Sequence, residues 1–337
     1  MDLFRVDDPS LESQWRSIIL FGSNSATYKF AFAQALLELA SAEKTHVTLA
    51  ELADPFSRNI IRHLKTSDKQ GTAPSSKFLD YCRDYLGKRI SHAELIEKTV
   101  RFGFVNVIEA FHNVKGEATI DPFYEDWKKA GEKGIVITDN LLKLKESSHF
   151  DSFGYEVEAR WNLVESAWSL NLTPAALAVG VDESQGFLYI EDKHRRRKDL
   201  TSVRHALNGY QKGKCFYSFQ DLRLEEGAGI CHVDHFFPHV NQALHNANLD
   251  GVWNLVLADP HTNLEKSNRI PTPAYLERLY TRNEFYIGSK HPLGKAIEQQ
   301  TGTTQRRRRA FLQKQLELAS YGTRPTWRPS VELAKAF

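Results

Sequence analysis

Between Cys231 and Pro271 the chain reads CHVDHFFPHVNQALHNANLDGVWNLVLADPHTNLEKSNRIP, an order of side chains suited to one-metal hydrolysis of a phosphodiester. Such a diester is already anionic, so an attacking hydroxide gains from a cation that neutralises the non-bridging and departing oxygens. Mg²⁺ (or Mn²⁺) suits that role: Mg²⁺ prefers oxygen ligands and keeps several of its waters, so one carboxylate and one amide carbonyl are enough protein for it. Asp234 and Asn263 are the candidate metal ligands. His235, next to the proposed ligand, is the candidate base, because an imidazole changes protonation close to neutral pH.

These side chains need elements to aim them. Successive residues of a strand point to opposite faces, so Asp234 and His235 must lie at a bend or a strand end, and the Phe236-Phe237-Pro238 run predicts the end there. Alternation from Val252 to Leu257 predicts a second strand with one polar residue, Asn254, whose amide would tie the His235 loop to it. Asp259-Pro260 predicts a turn, and Thr262 to Lys266 a short helix carrying Asn263 inward. Lys266 and Arg269 are expected to face outward, as phosphate contacts.

The same residues admit plainer roles. Asn254 can be purely structural and Asn263 a turn cap. Cys215, Cys231, His232, His235, His239, His245 and His261 lie close enough in sequence to suggest zinc. Against zinc, Phe-Tyr-Ser follows Cys215 and Cys231 has no cysteine nearby, so no knuckle spacing is completed.

The segment resembles the HNH (ββα-metal) endonuclease family in its HNN variant. The resemblance is carried by Val233-Asp234-His235 with Pro238, by Asn254-Leu255, and by Asn263 with Lys266 and Pro271. The lead-in from Leu207 to Tyr217 is similar to the family's "YQ.G.CFYC", with Ser218 where many relatives have a second cysteine. The likeness spans residues 200 to 285. It implies that Asp234 and Asn263 bind a divalent metal, His235 is the general base and Asn254 orients its loop. It further implies an endonuclease cutting DNA, in prokaryotic anti-phage defence or restriction. RNA cutting, a repair or mobile-element role, and a catalytically idle binding module are the alternatives.

At 337 residues the chain is long for one core, and α+β organisation is expected. The expected parts are a mainly helical domain at 1–180, a strand and basic linker at 181–199, a nuclease domain at 200–285 and a C-terminal helical extension at 286–337. No run of 18 apolar residues occurs and no basic-then-apolar leader opens the chain, which predicts a cytoplasmic protein without a membrane partner. Three cysteines argue against a disulfide framework.

A net charge of +2 is too small to demand a polyanion partner, but the basic residues are clustered. Arg195, Arg196 and Arg197 precede the motif and Arg306, Arg307, Arg308 and Arg309 follow it, which predicts contacts to a nucleic-acid backbone. The four later arginines open a predicted helix over 305–321, where cations oppose the helix dipole and so answer to something else. An activating protein or ligand and a homodimer are further expected partners.

In the N-terminal region helices are predicted over 25–42, 76–89, 92–112 and 123–130, with Ser23 or Asn24 capping the first and a short strand at Ile135-Val136-Ile137. Trp161, Val164 and Trp168 share a helix face expected in the core. Glu156, Glu158 and Arg160 read as a helix surface or an ion pair. Gln185 to Ile190 is an expected strand, and Phe285 to Gly288 is expected to pair with or pack on the nuclease sheet.

Overall fold

The computed structural model describes residues 8–22, 25–114, 120–129, 132–170, 179–182, 185–191, 197–224, 229–320 and 326–337. Helix and sheet are mixed, and the chain divides into two compact units, Pro9–Asn171 and Leu172–Phe337, with Asp8 belonging to the second. Among the described residues no helix is long and apolar enough to cross a membrane.

The first unit is built of helices α1 (Leu11–Phe21), α2 (Tyr28–Ser41), α3 (Leu49–Leu64), α4 (Lys77–Leu86), α5 (His92–Phe102), α6 (Val107–Ala110), α7 (Asp139–Lys145) and α8 (Phe150–Ser169). Polar caps set several of the starts: Thr48 with Glu51 and Ser91 with Glu94 form capping boxes on α3 and α5, and Ser76 caps α4. The predicted helix over 25–42 is shorter, opening after Thr27, and its proposed caps Ser23 and Asn24 lie outside the described residues. The predicted helix over 92–112 stops at Gly103, and only the short α6 follows.

Within the stretch 123–130, expected to be helical, Tyr124–Lys129 form strand β2 instead, and residue 130 lies outside the described residues. The reason is tertiary: β3 (Glu132–Ile137) has two ladder edges to satisfy, and β1 (His46–Thr48) and β2 pair antiparallel on either side of it. Phe30, Phe32, Phe56, Phe111, Trp15 and Trp161 fill the core beside this sheet, so the tryptophan face of α8 is buried as expected. Glu156 and Arg160 are not surface groups: both are buried, Glu156 in a bidentate pair with Arg16 (2.9 Å).

The second unit opens with the antiparallel sheet β4 (Gly180–Asp182), β5 (Phe187–Glu191) and β6 (Arg197–Ser202), followed by α9 (Val203–Gln211). Then come the antiparallel pair β7 (His232–His235) and β8 (Leu255–Ala258), and helix α10 (Pro260–Lys266). Strand β9 (Ile270–Pro271) and helices α11 (Pro273–Gly288), α12 (Gly294–Thr301) and α13 (Gln305–Ser320) complete the unit with β10 (Thr326–Trp327), which pairs parallel to β9. Pro273 opens α11 at its first turn, where a missing N–H costs nothing, and the helix runs through Phe285 to Gly288, which do not pair with the sheet. The chain end is bound in as well: Phe337 is buried against Tyr210, Phe216 and Phe219.

Candidate active site

Strand β7 ends at His235, as the Phe-Phe-Pro run predicts, and pairs with β8 so that Asp234 faces Val256 and His235 faces Leu255. At the outer edge of β8, Gln211 Nε2 donates to Leu257 O and Gln211 Oε1 accepts from Leu257 N, both at 2.9 Å, and Phe216 N donates to the same carbonyl at 2.9 Å. A carboxamide, with a donor and an acceptor, replaces a third strand there. The predicted second strand is shorter than its alternation suggests. Val252–Asn254 form a 3-10 turn, and the four strand residues are buried on both faces.

Asn254 accounts for that break. Its side chain is wholly buried and makes three backbone bonds. Oδ1 accepts from Phe237 N (2.9 Å), and Nδ2 donates to Phe237 O (3.0 Å) and Leu249 O (2.8 Å). The Asn254 carbonyl also accepts from Phe236 N at 2.8 Å. One residue therefore staples the segment after His235 to the segment around Leu249. Arg282 and Asn283 of α11 brace the turn from behind, donating to the carbonyls of Val252 and Trp253 at 3.1–3.3 Å. Burial without a carboxylate partner pulls the Arg282 pKa down.

Helix α10 lies across β7. Asp259 caps it by accepting from Thr262 N at 2.9 Å, with Pro260 in the first turn. Burial opposes its charge, but the bonds from Thr262 and Ser218 hold the Asp259 carboxyl below the usual range. Ser218 Oγ donates to Asp259 at 3.2 Å, a structural use for the serine that stands where a knuckle cysteine would. Asn263 and Lys266, three residues apart, share a face of α10. Lys266 Nζ reaches both Asp234 oxygens at 3.1 Å, and Asn263 Nδ2 lies 3.0 Å from His232 Nδ1. Since His232 and Asp234 alternate onto one face of β7, Asp234 and Asn263 are brought to the same side of the pair.

The carboxylate of Asp234 is 9% exposed and receives a second bond, from Tyr217 Oη at 2.7 Å. Burial, with Asp234 alongside, raises the Tyr217 pKa well above normal; burial lowers that of Lys266. A carboxylate has about four acceptor positions, so Tyr217 and Lys266 leave room for a cation on Asp234. With the Asn263 carbonyl, the donor set is oxygen on one side of the strand pair, which fits a hard divalent ion that keeps most of its water.

His235 is 15% exposed at the strand end, with Nε2 3.2 Å from Asp250 Oδ1. Tyr217 and Asp250 are absent from the sequence-derived site. Tyr217 sits within the CFY lead-in, so its position carried a signal, whereas Asp250 lies in a loop with none.

Several expected contact residues are placed differently. Lys266 does not face outward: it is fully buried, because its ammonium is the counter-charge of Asp234, and it also donates to His235 O at 2.7 Å. Arg269 is exposed and turns back onto the carbonyls of Lys266 and Glu265. Arg308 is buried in a pair with Glu284, and Arg309 pairs with Glu277 while stacking 3.7 Å from the Tyr280 ring centroid. These two answer to glutamates of α11. Arg306 and Arg307 are exposed and have no ion pair among the described residues. Arg195 and Arg196 lie outside the described residues, and Arg197 is placed only as the start of β6.

Among the described residues no group of three or more His, Cys, Asp or Glu is arranged to hold a metal. Cys215 and Cys231 are buried free thiols, the latter pushed up to about 11 by burial. Comparison with family models, curated proteins and solved structures found no match to this chain.

Proposed function

We propose that the second unit is an HNH-type, divalent-metal-dependent endonuclease acting on DNA. The observation that carries this reading is the β7–β8–α10 arrangement, in which Asn254 clamps the segment after His235 while α10 brings Asn263 to the Asp234 side. Asp234 and Asn263 would hold the ion, which when bound neutralises charge on the phosphate and the departing oxygen. His235 takes a proton from the attacking water. Tyr217 and Lys266 hold the Asp234 carboxylate in one orientation, and Asn254 keeps the His235 segment from moving away from it. Helix α13 supports the loop beyond His235, since His245 Nδ1 and Gln315 Oε1 are 2.7 Å apart, and its exposed Arg306 and Arg307 are the proposed backbone contacts.

The choice of DNA, and of a defence or restriction setting, rests on the family resemblance. Cleavage of labelled single- and double-stranded DNA and RNA, with Mg²⁺, Mn²⁺ or EDTA, by wild type and His235→Ala tests the reading. Metal-dependent products that vanish with the histidine are expected, and full-rate cutting by His235→Ala would sink the mechanism.

A second reading, an idle nucleic-acid- or partner-binding module, is favoured by one observation: Lys266 already neutralises Asp234. Under that reading Mg²⁺ and Mn²⁺ bind no more tightly to wild type than to Asp234→Asn, as read by calorimetry.

A further inference from the structure

We infer that Asp250 is a positioning residue for His235, fixing which ring nitrogen faces the attacking water; the inference deepens the nuclease reading and rests on it for its kinetic consequence. A neutral imidazole has one N–H and one lone pair. Asp250 Oδ1 lies 3.2 Å from His235 Nε2, and an ionised carboxylate only accepts, so the proton belongs on Nε2. The lone pair is then on Nδ1, the atom that accepts the proton of water.

Asp250 is not a casual surface carboxylate. It is 37% exposed, and the same Oδ1 lies 3.2 Å from Nε2 of His239, so imidazoles from two consecutive segments converge on one oxygen. Its loop is held on both sides: Asn254 Nδ2 bonds Leu249 O, Trp253 Nε1 donates to Asn248 O at 3.1 Å, and Asp250 N donates to Asn248 Oδ1 at 3.0 Å. Gly251 is required beside it, because a Cβ there would stand 2.6 Å from the Trp253 ring. Asn254 thus fixes both halves of the His235–Asp250 pair, through Phe237 on one side and Leu249 on the other. The logic is that of a base oriented by a third group, in which the orienting carboxylate sets the tautomer and the ring direction.

In the step this serves, the water O–H bond breaks, its proton goes to His235 Nδ1, and its oxygen forms the new bond to phosphorus as the bond to the departing oxygen breaks. The departing oxygen is protonated from solvent. Asp250 exchanges no proton; it keeps the ring from turning as charge forms.

The test has one arm independent of activity. In ¹H–¹⁵N spectra of full-length protein labelled at histidine, the His235 signals are identified by their absence in His235→Ala. The proton is expected on Nε2, with its shift and exchange rate altered in Asp250→Ala. A wild-type proton on Nδ1, or an Nε2 proton unmoved by Asp250→Ala, overturns the inference. In the cleavage assay Asp250→Ala is expected to lower kcat about 10–100-fold, the usual cost of losing an orienting partner, with KM within about twofold. An unchanged kcat in a protein that cuts also overturns it. Wild type that does not cut moves the nuclease reading towards a missing activator or an idle module, while the spectra still decide the role of Asp250.

Discussion

Replacing Asn254 with aspartate, nearly identical in shape, removes two donors from a fully buried site. The bond from Phe237 N survives, whereas Phe237 O and Leu249 O then face a carboxylate. The new acid relieves this by taking a proton, which restores one donor for two carbonyls. The remaining buried acceptor costs about 1–3 kcal/mol. Holding an acid of ordinary pKa near 3.9 neutral at pH 7 costs about three further pH units, or about 4 kcal/mol. The sum, about 5–7 kcal/mol at pH 7, approaches the whole stability of a domain, roughly 5–15 kcal/mol. Because the folded-state pKa is raised, stability is full below the unfolded value near 3.9 and is lost as pH rises from there through the folded value; at pH 5 the deficit should be smaller by about 2.7 kcal/mol than at pH 7. Hydrogen exchange of the β8 amides, measured at both pH values and corrected for intrinsic rates, gives the free energy for that unit alone. A deficit under about 1 kcal/mol at pH 7, or one that does not shrink on acidification, would refute the reasoning. The bond that His235→Ala loses to the partly exposed Asp250 carboxylate is, by contrast, worth about 0–1 kcal/mol.

Other substitutions separate support from chemistry. Lys266→Met leaves Asp234 buried with Tyr217 alone and should cost the second unit about 3–5 kcal/mol in denaturant titrations; a change below about 1 kcal/mol would mean that the pair is not structural. Replacing Arg306 and Arg307 with glutamine should reduce the slope of log affinity against log salt by about 1.8 for duplex DNA, if each meets one phosphate, with no loss of Tm. Arg308→Gln should instead lower Tm, since its Glu284 partner would be left without its cation; equal effects of the two changes on binding would argue against this division. In the first unit His63 offers Nδ1 to Glu165 at 3.0 Å and Nε2 to Glu158 at 3.2 Å while stacking 3.6 Å from Trp161. Burial disfavours the imidazolium, but the two carboxylates outweigh it and raise its pKa. Its contribution is therefore full below the unfolded pKa of about 6.5 and lost as pH rises through the folded value. Thermal unfolding of His63→Gln should lack that alkaline loss, and an unaltered profile would count against a charged His63.

What the sequence determined by itself was mostly local. The Phe-Phe-Pro run stops β7 at His235, Asp259-Pro260 caps and opens α10, and Ser or Thr with Glu three residues later starts α3 and α5, because each depends on groups within one turn of chain. The order Asp234, His235, Asn254, Asn263 was legible as a motif, and the role of Asn254 in tying down the His235 segment followed from an amide that donates and accepts at once. Only the tertiary structure decided what long-range pairing controls. Whether Tyr124–Lys129 is strand or helix depends on the open edge of β3. Whether Lys266 meets solvent or Asp234, and Arg308 a phosphate or Glu284, depends on which buried carboxylate lies within reach. A buried charge goes to a partner that desolvation makes compulsory, and that partner lies far along the chain, where spacing and composition carry no information about distance.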